Sequence, residues 1–274
     1  MINIPNKIAD RLNNGIKRFI PVLQAAKSRD VGEADTVIIV TDILAYILGY
    51  DKYSEITSEL AIKGTYCDLA TKIDGKIQLL IEVKAIGLDL KDNYVRQAID
   101  YASNQGIDWV VLTNGIHWKV FKVQFTKPID QELILEFDFL ALNSKDREHL
   151  DNLFFLSREG WLKSILNDYH AQKQALSKFF IASLVISESI IDVIRKELKK
   201  LSPDVKVDNE QIKSVLINEV LKREVVEGDK AEEAKKKIAR YLTKMNKAKL
   251  KSANNKKPAE ENNETTESIM ELPE

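Results

Sequence analysis

An α/β unit followed by an all-helical region is the fold class this sequence predicts, and three observations predict it. Five strand-like apolar runs fall between residues 54 and 124, and a helical segment divides them. Beyond about residue 140 the strand pattern gives way to helical composition.

Each element follows from its own signal. Residues 33–48, EADTVIIVTDILAYIL, carry apolar side chains at 37, 38, 44, 47 and 48, a helical spacing, and Gly49 is the expected C-cap. Strands are expected over Ser54–Lys63, Tyr66–Ile73 and Ile77–Ala85. Gly64-Thr65 separates the first pair, and Asp74-Gly75 makes a tight hairpin of the second. Asp89–Gln105 reads as a helix closed by Gly106. Strands Asp108–Thr113 and Ile116–Gln124 then flank Asn114-Gly115, expected as a type I′ turn, with Trp109 and Trp118 in the core. Glu132–Phe139 adds an edge strand.

Four helical stretches follow, Lys145–Leu156, Gly160–Leu201, Asn209–Glu227 and Lys230–Leu250, with a break at Leu201-Ser202-Pro203. No internal repeat is visible. The expected organisation is an α/β domain over 1–139, a helical domain over 140–251 and a disordered charged tail over 252–274.

Composition narrows the function classes. The chain has 274 residues, 44% hydrophobic and 30% charged, with 41 basic against 42 acidic side chains. A single cysteine, Cys67, rules out a disulfide framework, and with three scattered histidines it rules out a Cys/His zinc site. No apolar run approaches the roughly 18 residues of a membrane span, so a soluble, cytoplasmic protein without membrane contact is expected. The near-neutral charge is uneven: residues 234–259 hold ten Lys or Arg and no acid, and residues 260–274 hold six Glu and no base. Those lysines suit a phosphate backbone or form the solvated face of a helix, and the acidic stretch beside them can screen them in cis.

The residues that carry chemistry are Asp68 in TYCDLA and Glu82 with Lys84 in LLIEVKA. Strand alternation turns Glu82 and Lys84 to one side and Val83 into packing. If the Asp74-Gly75 hairpin pairs its strands, Asp68 lies near Glu82, and two carboxylates on one sheet face suit Mg²⁺ or Mn²⁺. Lys84 would then orient a water or stabilise a crowded phosphate. Glu33 can supply a further carboxylate, and Gln97 and Tyr101 share a helix face at i and i+4, beside Arg96. Plainer readings exist: an E-x-K on a solvent-facing sheet, an acid offsetting a helix dipole, a buried tyrosine. The apolar LLI flank argues for a central strand, where a charged pair needs a reason. Cys67 should face away from Asp68 into packing.

This pattern, Asp68 then Glu82-Val83-Lys84 within an α-β-β-β-α-β order, resembles the PD-(D/E)xK nuclease superfamily. More closely, it is similar to the N-terminal nuclease domain of type I restriction enzyme R subunits and their standalone relatives. The shared runs here are Leu48–Asp51, Ile81–Ala85, Gln97 with Tyr101, and Thr113–Trp118. The resemblance covers roughly residues 30–125 and implies a restriction-endonuclease-like mixed-sheet core. It further implies that Asp68 and Glu82 bind Mg²⁺ or Mn²⁺, Lys84 assists the attacking water, and Glu33 supplements the site. Gln97 and Tyr101 would lie beside it, contacting DNA or positioning the lysine. Cys67 stands where the superfamily has a proline. No G-x-x-x-x-G-K-[ST] phosphate loop is present, so no ATP motor and no nucleotide cofactor are expected.

The sequence thus points to a metal-dependent endonuclease acting on DNA in restriction or antiviral defence. Its helical region is expected to serve dimerisation, a partner subunit or DNA contact. The alternatives are a catalytically silent module on the same fold, which binds DNA or a partner, and a subunit active only within a larger defence complex.

Overall fold

The computed structural model describes residues 2–62, 65–125 and 127–254. These fall into two compact units, Met1–Ala171 and Gln172–Glu274.

The first unit opens with α1 (Asn6–Ser28), a helix ahead of the first one expected from the sequence. Its buried Leu12, Ile16, Phe19, Leu23 and Ala26 follow helical periodicity, but Asn13-Asn14-Gly15 and Pro21 disguise the pattern as a broken one. α2 (Glu33–Tyr46) stops short of the expected Leu48. Gly49 takes a left-handed φ of 83°, and the Tyr50 N–H donates to Leu44 O at 3.1 Å, closing the helix end.

Strands β1 (Ile56–Ile62), β2 (Thr65–Ile73) and β3 (Lys76–Val83) follow in antiparallel succession. Asp74 and Gly75 both have positive φ, as a tight β2–β3 hairpin requires. A 3₁₀ turn, Asp92–Val95, leads into α3 (Arg96–Gln105), capped by left-handed Gly106. β4 (Trp109–Thr113) pairs with β3 in parallel, then β5 (His117–Gln124) and the edge strand β6 (Asp130–Asp138) continue antiparallel. The sheet is mixed, in the order β1-β2-β3-β4-β5-β6, which makes β3 and β4 its central strands.

One turn differs from expectation. Only Gly115 has positive φ, so Asn114-Gly115 is not a type I′ pair. The last β4–β5 pair is Thr113 with Trp118, and a longer loop joins the strands. Asn114 is buried there, using its side chain to hold backbone.

Two apolar layers cover the sheet. On one side Leu69, Ile81, Val83, Trp109 and Trp118 pack with residues of α1 and α2. On the other, Ala70, Leu80, Val110 and Phe121 pack with Val95, Ala98, Ile99 and Ala102 of the α3 region. The composition change near residue 140 falls inside this unit. Helices α4 (Arg147–Leu156) and α5 (Arg158–Leu162) bury Leu153, Phe154 and Phe155 in the first layer. The Arg11 guanidinium grips Glu159 at 2.7 and 2.6 Å, and Arg158 Nε contacts both oxygens of Glu55 at 2.7 and 2.8 Å. The unit ends within α6 (Ile165–Ala175).

The second unit contains α7 (Lys178–Val185), α8 (Glu188–Leu201), α9 (Asn209–Val215), a π-helical turn (Leu216–Val220), α10 (Arg223–Val226) and α11 (Asp229–Asn254). The stretch 160–201, read as continuously helical, is cut at serines. Ser164 takes a left-handed φ of 55°, Ser177 accepts from Phe180 N–H, and Ser187 sits at the N-cap of α8. Ala182, Val225 and Val226 form its buried cluster, with Phe179, Ile217 and Leu221 around them. The end of the expected tail, residues 255–274, lies outside the described residues. Among those described, no helix is long and apolar enough to cross a membrane.

Candidate functional site

The candidate site lies where β2 and β3 part. Their ladder runs as far as Leu69 opposite Ile81; one step further would face Asp68 with Glu82. There the Asp68 side chain takes over a backbone role: Oδ2 accepts from the Val83 N–H at 2.7 Å. The Lys84 N–H donates to Thr113 O at 2.8 Å, extending the parallel register past the end of β3. Backbone thus fixes both residues that flank the strand end.

Glu82 is 8% exposed, a rare state for a carboxylate. Lys84 Nζ donates to Glu82 Oε1 at 2.7 Å, to Val83 O at 3.0 Å and to Glu33 Oε2 at 3.4 Å. Glu33 reaches in from the first residue of α2 with its side chain half exposed. Two carboxylates therefore contact one ammonium, and Asp68 acts on it through its charge. Oδ1 of Asp68 and Oε2 of Glu82 have no hydrogen-bond partner among the described residues.

The electrostatics follow from that imbalance. Burial lifts the Asp68 carboxyl above its ordinary range; the Val83 N–H and Lys84 oppose the lift, and Glu33 adds to it. Burial also raises Glu82, against its hydrogen bond from Lys84 and with help from Asp68. For Lys84 burial pulls the other way, yet the bond to Glu82 and the surrounding carboxylates hold its ammonium above the usual range. Desolvation and like charge act together on the acids, while surplus negative charge protects the lysine.

The loop leaving the site is clamped from both sides. Asn114 Nδ2 donates to Ile86 O at 3.2 Å and Leu88 O at 2.9 Å, while its Oδ1 accepts from the N–H groups of Ile116 and His117 at 3.1 and 2.7 Å. Opposite, the Ile86 N–H donates to Val31 O at 3.3 Å, and a Cβ on Gly87 would come within 2.2 Å of Asp30 Oδ1. Sequence reasoning missed Asn114 as a positioning residue. An Asn before Gly looks the same whether it makes a turn or a buried clamp.

Gln97 is exposed, Tyr101 packs against the α3-side layer, and neither joins the carboxylates by a hydrogen bond among the described residues. Cys67 is buried, its thiol pushed up to about 12 by desolvation first and by Glu82 second, so it is inert at neutral pH. Trp109 and Trp118 are buried, as expected.

Residues 34–134 match the family model for the type I restriction enzyme R protein N terminus. The matched region holds Asp68, Glu82, Lys84, Gln97, Tyr101 and Asn114, and begins one residue after Glu33. No curated protein and no solved structure gives a significant match.

As a donor set, Asp68, Glu82 and Glu33 offer hard oxygens and excess negative charge, the chemistry a divalent cation satisfies. Among the described residues, no three Asp, Glu, His or Cys side chains converge into a ready-made metal shell. Lys84 Nζ lies against Glu82 instead, so a cation would share or displace that contact.

Proposed function

We propose that this chain is a restriction-type, metal-dependent endonuclease that hydrolyses DNA phosphodiester bonds on a PD-(D/E)xK-like core. One observation carries the reading. The region matched to the restriction-enzyme family contains, at the end of a central strand, a half-buried cluster of acids around one lysine. A purely structural strand gains nothing from burying Glu82 beside Asp68.

In this reading Asp68 and Glu82 hold Mg²⁺ or Mn²⁺, and Glu33 supplements them through water. The ion would acidify a coordinated water and offset charge developing on the phosphate. Asp68 is held in place by the Val83 N–H, so its free oxygen is pre-aimed. Lys84, released from Glu82, orients the attacking water or neutralises a non-bridging phosphate oxygen. Asn114 keeps the loop after Lys84 from drifting. Gln97, exposed on α3, would contact DNA in this reading, with Tyr101 supporting its helix.

A second reading, in which the subunit becomes active only inside a larger assembly, is favoured by the contact between Lys84 and Glu82 at 2.7 Å. Where a cation alone does not displace Lys84 from Glu82, a partner or the DNA would have to open that contact. The second unit is the proposed place for such a partner or for a second copy.

Nicking of supercoiled plasmid in Mg²⁺ or Mn²⁺ tests the proposal, comparing wild type with Asp68→Ala and Lys84→Ala, both checked for folding by circular dichroism. Loss in both variants of about 100-fold or more is expected. Equal activity in all three would refute the site. Activity that appears only with a co-purifying protein would favour the second reading.

A further inference from the structure

In the second unit, α8 and the connection Ser202–Asp208 enclose a groove of about 950 Å³. Leu198, Val205 and Val207 supply its apolar lining, and on its rim the cations Arg195, Lys196, Lys199 and Lys206 outnumber the acids Asp204 and Asp208. Leu198 and Val205 are 40% and 57% exposed, and Leu201 beside them is 80% exposed. Among the described residues no ion pair neutralises those three lysines. Lys199 lies in the last turn of α8 and offsets the helix dipole, but Lys196 and Lys206 lie outside that turn. An apolar groove with a basic rim calls for an occupant that is acidic and apolar at once.

We propose that the C-terminal segment Glu260–Glu274 of the same chain docks in this groove. That segment has six Glu and no base, and it places Ile269, Met270 and Leu272 among Glu267, Glu271 and Glu274. Its apolar residues match the groove lining and its carboxylates match the rim. The fifteen residues from the end of α11 to Ile269 can span about 50 Å when extended, and the tether raises the local concentration towards the millimolar range. Docking would also withhold the basic rim from any competing polyanion, making the tail a self-screen. The inference is independent of the proposed nuclease activity.

A photo-cross-linking amino acid, p-benzoylphenylalanine, at Leu201 or Val205 of the full chain tests it. The expected product is an intrachain cross-link to the peptide containing Ile269–Leu272, read by mass spectrometry. Its yield should fall about ten-fold in Lys196→Glu/Lys199→Glu and fall similarly at high salt. Leu272→Asp should lower the yield without touching the groove. No cross-link, a cross-link to another segment, or a product solely between two chains would overturn the proposal. So would loss of duplex-DNA binding in the lysine variant with no tail cross-link, which would give the groove to phosphates.

Discussion

The two units spend their apolar residues differently. The first buries Trp109, Trp118, Phe121, Phe139 and Phe154, and within that packing it also holds Glu82 beside Lys84. The second buries smaller aliphatic side chains, among them Ala182, Ile191, Ile212, Val225, Val226 and Ile238, and leaves Leu198, Leu201 and Val205 open. A well-packed unit can tolerate a crowded charge cluster because the surrounding contacts over-determine it. A thinly packed unit cannot, but it presents surface for another chain segment.

Substitutions in the two cores test that contrast most strongly. Phe154→Ala should cost about 3–5 kcal/mol, against about 1 kcal/mol for Val226→Ala, both measured by denaturant titration. Equal penalties would break the comparison. At the site, Asn114→Ala should cost about 1–3 kcal/mol by orphaning backbone groups of the loop after Lys84. If the proposed activity holds, nicking should fall further than stability alone explains, because Lys84 loses its positioning.

The smallest effect has the opposite sign. Asp68→Asn retains an acceptor for the Val83 N–H but removes a half-buried charge, and should raise Tm by about 1–3 °C. Because the Asp68 and Glu82 carboxyls are raised, the folded chain binds their protons more tightly than the unfolded chain does. Stability from these groups therefore falls as pH rises from the ordinary carboxylate range through their folded values. The advantage of Asp68→Asn should shrink as pH is lowered from 7 towards that range, a trend that thermal melts across pH would follow. A Tm drop at pH 7 would show that the charge is compensated rather than strained.

Much of the first unit was legible because strand alternation and the Asp74-Gly75 signal are local. Asp68, Glu82 and Lys84 stood out because charges interrupt apolar strands. What escaped was set by distant contacts. α1 was hidden by Pro21 and Asn-Asn-Gly, although its apolar stripe is regular. Asn114 presented itself as a turn residue, and its partners Ile86 and Leu88 lie on a loop that no local rule connects to it. The long helical stretch 160–201 was cut at Ser164, Ser177 and Ser187, whose signal competes with good helix formers nearby. The ammonium of Lys84 resting on Glu82 is a matter of side-chain geometry that no spacing specifies.

The central claim is that the acids around Lys84 form a cation site, and Mn²⁺ titration calorimetry on wild type and Asp68→Asn tests it without requiring catalysis or a partner. The account predicts saturable binding to wild type at pH 7.5, weaker binding near pH 5 as the raised carboxyls take up protons, and loss of binding in the better-folded Asp68→Asn. Undiminished binding in that variant, or no binding to wild type at either pH, would contradict it.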